Sequence, residues 1–369
     1  MTLDAADAAD GIVPDAVDMR EVKRVLVVKL RHHGDVLLAS PVISVLKAHA
    51  PHVTIDALVY GDTVQMLDLH PAIGTIHVVD RGWRELGPIE RAKREWGLLS
   101  ALRSASYDLL VHLTDHPRGA WLARALPVRA SVAPARASRW WKKSFTHRYP
   151  VVGGGRRHTV ELNLDALRRI GIQPSAAGRG LTLQTGEPAA QHADALLARH
   201  GLAPKAFIQI HPTSRWRFKC WPADYVAAVI DNLESRGHRI VLTAAPDPME
   251  RAFVAEVLAR MQTEPVDLSG ELTLKQLAAL TARAKLFIGV DSAPMHIAAA
   301  MRTPTVAIFG PSGDIEWGPW QVPHRIVAAN EFPCRPCGYD GCGGGKVSEC
   351  LTGLAPARVL AAVDELLAI

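Results

Sequence analysis

Two short segments of the chain place an aspartate directly after an apolar strand, where a helix begins. One is RHHGDVLLASP over 31–41, which contains Asp35, and the other is FIGVDSAPMH over 287–296, which contains Asp291. Open parallel sheets bind ligands beyond the carboxyl ends of their strands, which is where both carboxylates are expected. Because a long stretch of chain separates the segments, we expect two α/β domains facing a shared cleft, an arrangement suited to joining two substrates.

The Asp291 segment has the pattern of a helix N-terminus that binds an anion. Asp291 or Ser292 is the expected N-cap, and Pro294 falls in the first turn. The backbone N–H groups and the dipole of such a helix attract negative charge, so a phosphate is expected on Ser292 and Ala293. An ordinary N-cap is the alternative, but it does not account for His296 one turn further along.

A second polar segment, HPTSRWRFKCWP over 211–222, follows another apolar strand and precedes a helix. It offers the hydroxyls of Thr213 and Ser214 together with three cations, among them Arg217 and Lys219. A lysine ammonium is a compact charge that can neutralise a diphosphate. The segment therefore predicts a donor-phosphate site, with a basic surface loop as the alternative.

Two acidic residues, Asp247 and Glu250, follow the strand predicted at 239–243. Carboxylates at this edge of a sheet are suitable acceptors for ribose hydroxyls, and we predict that role for both. The sequence DPME also reads as a helix N-terminus, which is the alternative explanation.

The first motif predicts an acceptor site with a base. Gly34 permits close approach of a ligand, and a partly buried Asp35 carboxylate can act as a general base. Arg31, His32 and His33 would attract an anionic acceptor. The alternative is that Asp35 only caps the following helix.

Positive charge is concentrated in the first half of the chain. Residues 24–160 contain 20 Lys and Arg against 10 Asp and Glu, whereas the whole chain carries +5. Segment 116–160 has ten basic residues and no acid, with Trp121, Trp140 and Trp141 among them. Such a segment predicts an anionic partner: a phosphorylated substrate, an acidic membrane surface or nucleic acid. A solvated surface face is the alternative.

The composition is that of a globular protein. Of 369 residues, 48% are hydrophobic and 21% are charged, and the length suits two domains. No apolar run approaches the roughly 18 residues that a membrane span needs. The first 20 residues hold five aspartates and one arginine, unlike a secretory signal, so we expect a disordered lead-in and a cytoplasmic protein.

Four cysteines follow one another closely near the C-terminus, with the spacing C-x2-C-x4-C-x7-C. Disulfides are rare in cytosolic proteins, so two interpretations stay open: a structural metal site and a glycine-rich loop of reduced thiols. The spacing matches no standard zinc pattern. The residues concerned are Cys334, Cys337, Cys342 and Cys350.

Short β-branched runs alternate with longer amphipathic stretches, which predicts parallel sheets with right-handed crossovers. Strands are predicted at 24–29, 53–59, 75–79, 107–112, 127–132, 206–211, 239–243, 285–290, 304–309 and 325–328. Helices are predicted at 36–49, 62–69, 88–104, 117–125, 158–170, 189–200, 222–236, 248–261, 273–282, 293–301 and 356–368. We expect a lead-in over 1–22, an N-terminal domain over 23–171, a linker over 172–188, a C-terminal domain over 189–352 and a final helix over 353–369.

The motifs KLRHHGDVLL over 29–38 and DSAPMH over 291–296 resemble those of glycosyltransferase family 9, the bacterial heptosyltransferases of lipopolysaccharide core synthesis. The first motif is most similar to the heptosyltransferase III branch. The family more often has serine where this chain has His32 and His33. The resemblance extends over about 24–369, and the cysteine loop also resembles one seen in several members.

This resemblance implies a GT-B fold, with two Rossmann-like, doubly wound parallel-sheet domains, an inter-domain cleft and a C-terminal helix that crosses back to the N-terminal domain. It implies an ADP-heptose donor in the C-terminal domain and a lipid-linked lipopolysaccharide inner-core acceptor in the N-terminal domain. The protein would be peripheral on the cytoplasmic face of the inner membrane, with no cofactor and no nucleic-acid partner.

By position, Asp35 matches the proposed base of the family, and Lys219 matches a donor-phosphate ligand that assists the departure of ADP. Thr213 and Ser214 match the same donor loop. The donor-binding helix start corresponds to Asp291, Ser292, Ala293 and His296.

Two other functions remain as alternatives. A nucleotide-sugar epimerase or hydrolase of the same fold would convert the donor without an acceptor. A basic nucleic-acid-binding module would explain the positive segment, with a steep dependence on salt. Neither accounts for both aspartate motifs together with the Lys219 loop.

Overall fold

The computed structural model describes residues 13–151 and 156–368, so part of the predicted lead-in, 1–12, lies outside the described residues. For 13–22 the prediction of disorder is wrong, because this stretch is bonded to distant parts of the chain. The carboxylate of Asp15 accepts two hydrogen bonds of 2.7 Å from Arg169, and Met19 is buried.

The described chain divides into two compact units. The first comprises 13–151 and Thr159–Thr182, and the second comprises 156–158 and 183–368. The division after Thr182 falls inside the stretch predicted as the linker. Residues 172–182 of that stretch belong with the first unit, and a helix of the second unit already begins at Glu187.

The first unit contains a six-stranded parallel sheet in the order β3-β2-β1-β4-β5-β6. Its strands are β1 Arg24–Val28, β2 Thr54–Tyr60, β3 Ile73–Val79, β4 Leu109–His112, β5 Ala130–Pro134 and β6 His147–Tyr149. Its helices are α1 His33–Leu37, α2 Ser40–His49, α3 Pro88–Ser104, α4 Pro117–Ala125, α5 Arg139–Lys142 and α6 Thr159–Arg169.

Two predictions for this unit need correction. The helix predicted over 36–49 is two helices, because Pro41 occupies one of the first positions of α2 and starts a new helix. The predicted helix over 62–69 is only a 3₁₀ segment, Gly61–Met66. Strand β6 was not predicted, since three residues carry too little periodicity to identify a strand.

The second unit repeats the architecture, with a six-stranded parallel sheet in the order β12-β11-β10-β7-β8-β9. Its strands are β7 Phe207–His211, β8 Arg239–Leu242, β9 Val266–Asp267, β10 Leu286–Val290, β11 Thr305–Phe309 and β12 His324–Ala328. Its helices are α7 Glu187–Arg199, α8 Ala223–Ser235, α9 Pro248–Leu258, α10 Leu274–Arg283, α11 Ala293–Ala300, α12 Asp314–Trp317, α13 Glu349–Thr352 and α14 Pro356–Leu367.

The last helix, α14, belongs to the second unit. It packs on α8, β11 and β12, and it buries Val359, Val363 and Leu366 in the core of that unit. The expectation that this helix crosses back to the first domain is therefore wrong. Its apolar stripe covers a sheet face of its own unit that would otherwise be open to water.

In both sheets the strand order reverses at one place, between β1 and β4 and between β7 and β10. Right-handed crossovers send the connections on either side of this place to opposite faces of the sheet. The loops that follow the two neighbouring strands therefore diverge and leave space for a ligand at the carboxyl edge. Both aspartate motifs of the sequence follow one of these central strands.

Helix α4 packs closely against the buried side chain of His112 in the first unit. A Cβ added at Gly119 in α4 would lie 2.1 Å from Nε2 of His112. The imidazole cannot move away easily, because it is fully buried and lies against Trp141 and Phe145, with ring centroids 5.8 and 5.9 Å away.

We therefore expect Gly119→Ala to lower the free energy of unfolding by about 1–3 kcal/mol, the usual cost of overpacking a core. Alanine is a better helix former than glycine, so without this contact the substitution would raise the free energy of unfolding. Gly97→Ala in α3 is the matched control, because nothing lies within 4 Å of its added Cβ. Urea unfolding of both variants measures the difference, and equal stabilities would contradict the described contact.

Candidate active site

An ion pair lies beyond the central strands of the second unit. The ammonium of Lys219, at the end of the 3₁₀ turn Arg217–Lys219, donates to the carboxylate of Asp291 over 2.6 Å. Asp291 follows β10 and is 5% exposed, whereas the side chain of Lys219 is 23% exposed. The two predicted residues thus meet at the carboxyl edge of the sheet, and the lysine remains accessible to a ligand.

The turn that carries Lys219 is fixed by residues far along the chain. The buried hydroxyl of Ser348 donates to the carbonyl of Phe218 over 2.7 Å. The indole N–H of Trp221 donates to the carbonyl of Leu354 over 3.0 Å. Ser348 and Leu354, which lie on either side of the last cysteine of the loop, therefore hold the lysine turn in place, a role that the sequence did not reveal.

Helix α11 begins beside this ion pair. Ser292 is its N-cap residue in extended conformation, and Ala293 and Pro294 open the first turn. The Ser292 hydroxyl donates to the carbonyl of Val290 over 3.3 Å and does not cap the helix. His296 is buried within the helix, with 3% exposure. The first turn of α11 thus follows the Asp291 carboxylate directly.

Thr213 and Glu250 are joined in a buried network. The Thr213 hydroxyl donates to the Glu250 carboxylate over 2.6 Å, and the backbone N–H of Ala245 donates to the same oxygen over 3.2 Å. Nε2 of His211 lies 3.2 Å from the Thr213 hydroxyl, and burial lowers the pKa of His211 to about 3. The predicted donor ligands Thr213 and Glu250 are therefore hydrogen-bonded to each other and hold the base of the loop.

The remaining predicted donor ligands have local partners. Asp247 accepts hydrogen bonds from the N–H groups of residues 249 and 250, so it caps α9, as its alternative reading predicted. The Ser214 hydroxyl accepts from the N–H of residue 216. Arg217 pairs with Glu256 at 3.1 Å and stacks on Phe253, so it points away from the ion pair.

In the first unit, Asp35 lies in the first turn of α1, whose N-cap is His32. The alternative in which Asp35 caps the helix is therefore wrong. His33 contacts the carbonyl of Asp62 at 2.8 Å through Nε2, and Gly34 accepts a backbone hydrogen bond from Leu38.

A buried lysine lies close to this turn. Lys29, at the end of β1, donates to the carbonyl of Leu113 over 3.1 Å and to the side-chain oxygen of Asn163 over 2.9 Å. Burial lowers its pKa to about 8, and the negative charge of Asp35 opposes that shift. The sequence motif began at Lys29, but nothing in the sequence indicated that Asn163, on α6, would hold it.

Three arginines converge at the same edge of the first sheet, and we call them the arginine cluster: Arg31, Arg81 and Arg136. Arg31 pairs with Asp115 at 3.1 Å, and Arg136 donates to the carbonyl of Asp115 over 2.6 Å. Arg81 donates to the carbonyl of Arg31 over 3.0 Å. Sequence reasoning missed Arg81 as a site residue, because 50 positions separate it from Arg31.

The cysteines of the C-terminal loop are present as thiols. Cys334 and Cys342 are exposed, Cys337 is half-buried and Cys350 is buried. Within 13–151 and 156–368, no three His, Cys, Asp or Glu side chains are grouped as metal ligands would be. The same residues include no helix that is long and apolar enough to cross a bilayer.

The chain is similar in sequence to known glycosyltransferases. Residues 96–347 match the model of glycosyltransferase family 9 (heptosyltransferase). The lipopolysaccharide heptosyltransferase 3 of Escherichia coli is 37% identical over 92% of this chain and 97% of its own length. Neither of the two alternative functions is favoured by these relatives.

Solved structures agree with the fold. The glycosyltransferase family 9 protein of Veillonella parvula has a TM-score of 0.80 at 26% identity, covering 96% of this chain and 99% of its own. The E. coli heptosyltransferase WaaC with ADP has a TM-score of 0.71 at 20% identity, covering 93% and 99%. The two sheets thus confirm the predicted GT-B fold, and the chain belongs to glycosyltransferase family 9.

Proposed function

We propose that this chain transfers heptose from ADP-heptose to the inner core of lipopolysaccharide, with inversion at the anomeric carbon and without a metal ion. The single observation that carries the proposal is the Lys219–Asp291 pair beyond β7 and β10. Two relatives support the proposal: a lipopolysaccharide heptosyltransferase that aligns with this chain over 97% of its own length, and a heptosyltransferase solved with ADP. We place the protein at the cytoplasmic face of the inner membrane, as a peripheral protein.

The second unit would hold the donor. The diphosphate of ADP-heptose is an anion that suits the ammonium of Lys219 and the N–H groups of the first turn of α11. When the diphosphate binds Lys219, the Asp291 carboxylate is left to accept hydrogen bonds from the heptose hydroxyls. Thr213 and Glu250 keep the loop in shape, Ser214 accepts a hydrogen bond from within the loop, and Asp247 caps the neighbouring helix α9.

The reaction needs one proton transfer and one substitution. Asp35 takes the proton of an acceptor hydroxyl, and the oxygen forms a bond to the anomeric carbon of the heptose. The bond from that carbon to the diphosphate oxygen breaks on the opposite face, and ADP leaves with the electron pair. Lys219 stabilises the charge that develops on the leaving group.

The first unit would hold the acceptor. The arginine cluster supplies three guanidinium groups, which bind phosphate and carboxylate in fixed geometry. Asp115 and the carbonyl of Arg31 orient these groups before the acceptor arrives. The cluster lies beyond the same strand edge as Asp35, so an anionic group of the acceptor held there brings a nearby hydroxyl to the base.

The direct test is transfer in vitro. Purified protein, ADP-heptose and lipopolysaccharide that lacks its branch heptose are expected to give ADP and an acceptor heavier by one heptose, as mass spectrometry measures. Each substrate alone should give no ADP. Consumption of ADP-heptose without acceptor would contradict the proposal and identify a hydrolase or an epimerase.

The role of Asp35 predicts a specific kinetic defect. Asp35→Asn is expected to lower kcat by about 10²–10⁴, because the variant has no base for the acceptor hydroxyl. The affinity for ADP, measured by calorimetry, should remain that of the wild type, because Asp35 lies in the acceptor-binding unit and ADP binds the donor site. Asp224→Asn is the control, because Asp224 is an exposed aspartate in the first turn of α8. Near-normal turnover of a folded Asp35→Asn variant would remove Asp35 from this role.

The role of Lys219 predicts a different defect. Lys219→Met keeps an unbranched side chain as far as Cε and removes the ammonium group, so kcat/KM should fall by about 10²–10³ and ADP should bind more weakly. Lys285→Met is the control, because this exposed lysine lies before β10, at the opposite edge of the sheet. Unchanged ADP affinity in Lys219→Met, measured by calorimetry, would contradict the assignment.

A further inference from the structure

The first half of α3 packs little against the rest of the first unit. Over 88–97 no side chain is buried, and in the whole helix only Leu102 is. Ile89 is 74% exposed and Trp96 is 66% exposed. Seven positions separate these two residues, so they lie two turns apart on the same side of the helix. Large apolar side chains gathered in this way mark an interaction surface.

A second pair of aromatic side chains, Trp121 and Trp140, lies on α4 and α5. Glu95 accepts a hydrogen bond of 2.6 Å from Arg118, which ties α3 to α4. Trp121 lies one turn after Arg118, is 64% exposed and contacts Trp140, with ring centroids 5.4 Å apart. We name Ile89, Trp96, Trp121 and Trp140 the aromatic surface.

The surroundings of the aromatic surface are basic. Arg91, Lys93 and Arg94 are exposed on α3, and Lys142 and Lys143 are exposed after Trp140 and Trp141. The acids of α3 are neutralised locally, since Glu90 pairs with Arg94 at 3.0 Å and Glu95 with Arg118. Segment 116–160 contains no acid at all. A second copy of this chain would bring like charges together here, so the charge favours an anionic partner.

We propose that the aromatic surface is where the chain rests on an anionic lipid bilayer. Tryptophan rings occupy the headgroup region of membranes, and Ile89 reaches the acyl boundary beneath it. The surrounding lysines and arginines bind lipid phosphates, each contributing about 1 kcal/mol near an anionic surface. This inference rests on the proposed function, because a lipid-linked acceptor must be met at the membrane by the unit that binds it.

Vesicle flotation with the full-length chain tests the proposal. Wild type is expected to float with vesicles of phosphatidylcholine and phosphatidylglycerol, less with phosphatidylcholine alone, and less at high salt. The triple variant Ile89→Ser, Trp96→Ser, Trp121→Ser should lose at least about tenfold in partition, since it removes the apolar contact. Lys142→Gln with Lys143→Gln should reduce mainly the preference for the anionic lipid.

Leu69→Ser is the matched control, because Leu69 is 60% exposed in the same unit and precedes β3, whereas α3 begins after the other end of that strand. It should float like the wild type. Circular dichroism checks the fold of each variant. Equal flotation of the triple variant and wild type, or no flotation of wild type, would overturn the proposal. A wild-type dimer that the triple variant dissociates would assign the surface to a second copy and would equally overturn it.

Activity separates this inference from the proposed function. With a soluble core oligosaccharide as acceptor, the triple variant should turn over like the wild type. With acceptor embedded in vesicles, it should be slower by a factor similar to its loss of partition. If wild type floats but transfers no heptose to either acceptor, the proposed function fails while the surface stands.

Discussion

The reversal of strand order in each sheet is the constraint on which the chemistry of this protein depends. Between β1 and β4, and between β7 and β10, connections leave toward opposite faces and open the carboxyl edge of the sheet. Lys29 directly follows β1 in the first sheet, and Asp291 directly follows β10 in the second. Within each unit, residues that lie far apart in the chain therefore meet near this edge: Lys29 with Asn163 in the first unit, and Lys219 with Asp291 in the second.

In the proposed function, the Lys219–Asp291 pair is a donor site that is formed before the donor binds. A half-buried ion pair gives little net stability, because desolvation of both charges offsets much of their attraction. Its value is positional: Asp291 holds the ammonium at the sheet edge before a diphosphate arrives. Ser348 and Trp221 fix the loop that carries the lysine, so little rearrangement is needed when an anion replaces the carboxylate.

The first unit uses its charges differently. Among the described residues, the hydrogen-bond partners of buried Lys29 are neutral: the carbonyl of Leu113 and the side chain of Asn163. Arg31 and Arg136 share the acidic residue Asp115, and Arg81 pairs with Asp62. Positive charge thus remains in excess at the edge that would meet an anionic acceptor. The basic segment also frames the exposed tryptophans, so one excess of charge would serve both the acceptor and the membrane.

The sequence alone determined the fold class and most of the elements, because strands and helices of this length follow from the period of their apolar residues. Helices α3 and α4 have the predicted bounds, and both aspartate motifs follow central strands. Strands β6 and β9 were not predicted, because they are too short to show a period of apolar residues. The position of α14 was not predicted either, because it depends on which face of a sheet remains exposed after the other helices have packed. Contacts between distant residues were decided only by the tertiary structure. Asn163 accepts a hydrogen bond from Lys29, and Glu250 accepts one from Thr213. Arg81 and Arg136 lie beside Arg31, and the cation that pairs with Asp291 is Lys219 and not Arg217. Local hydrogen bonding and the spacing of apolar residues determine where helices and strands form. Which distant side chain pairs with a given charge depends on how those elements pack, and local sequence does not contain that information.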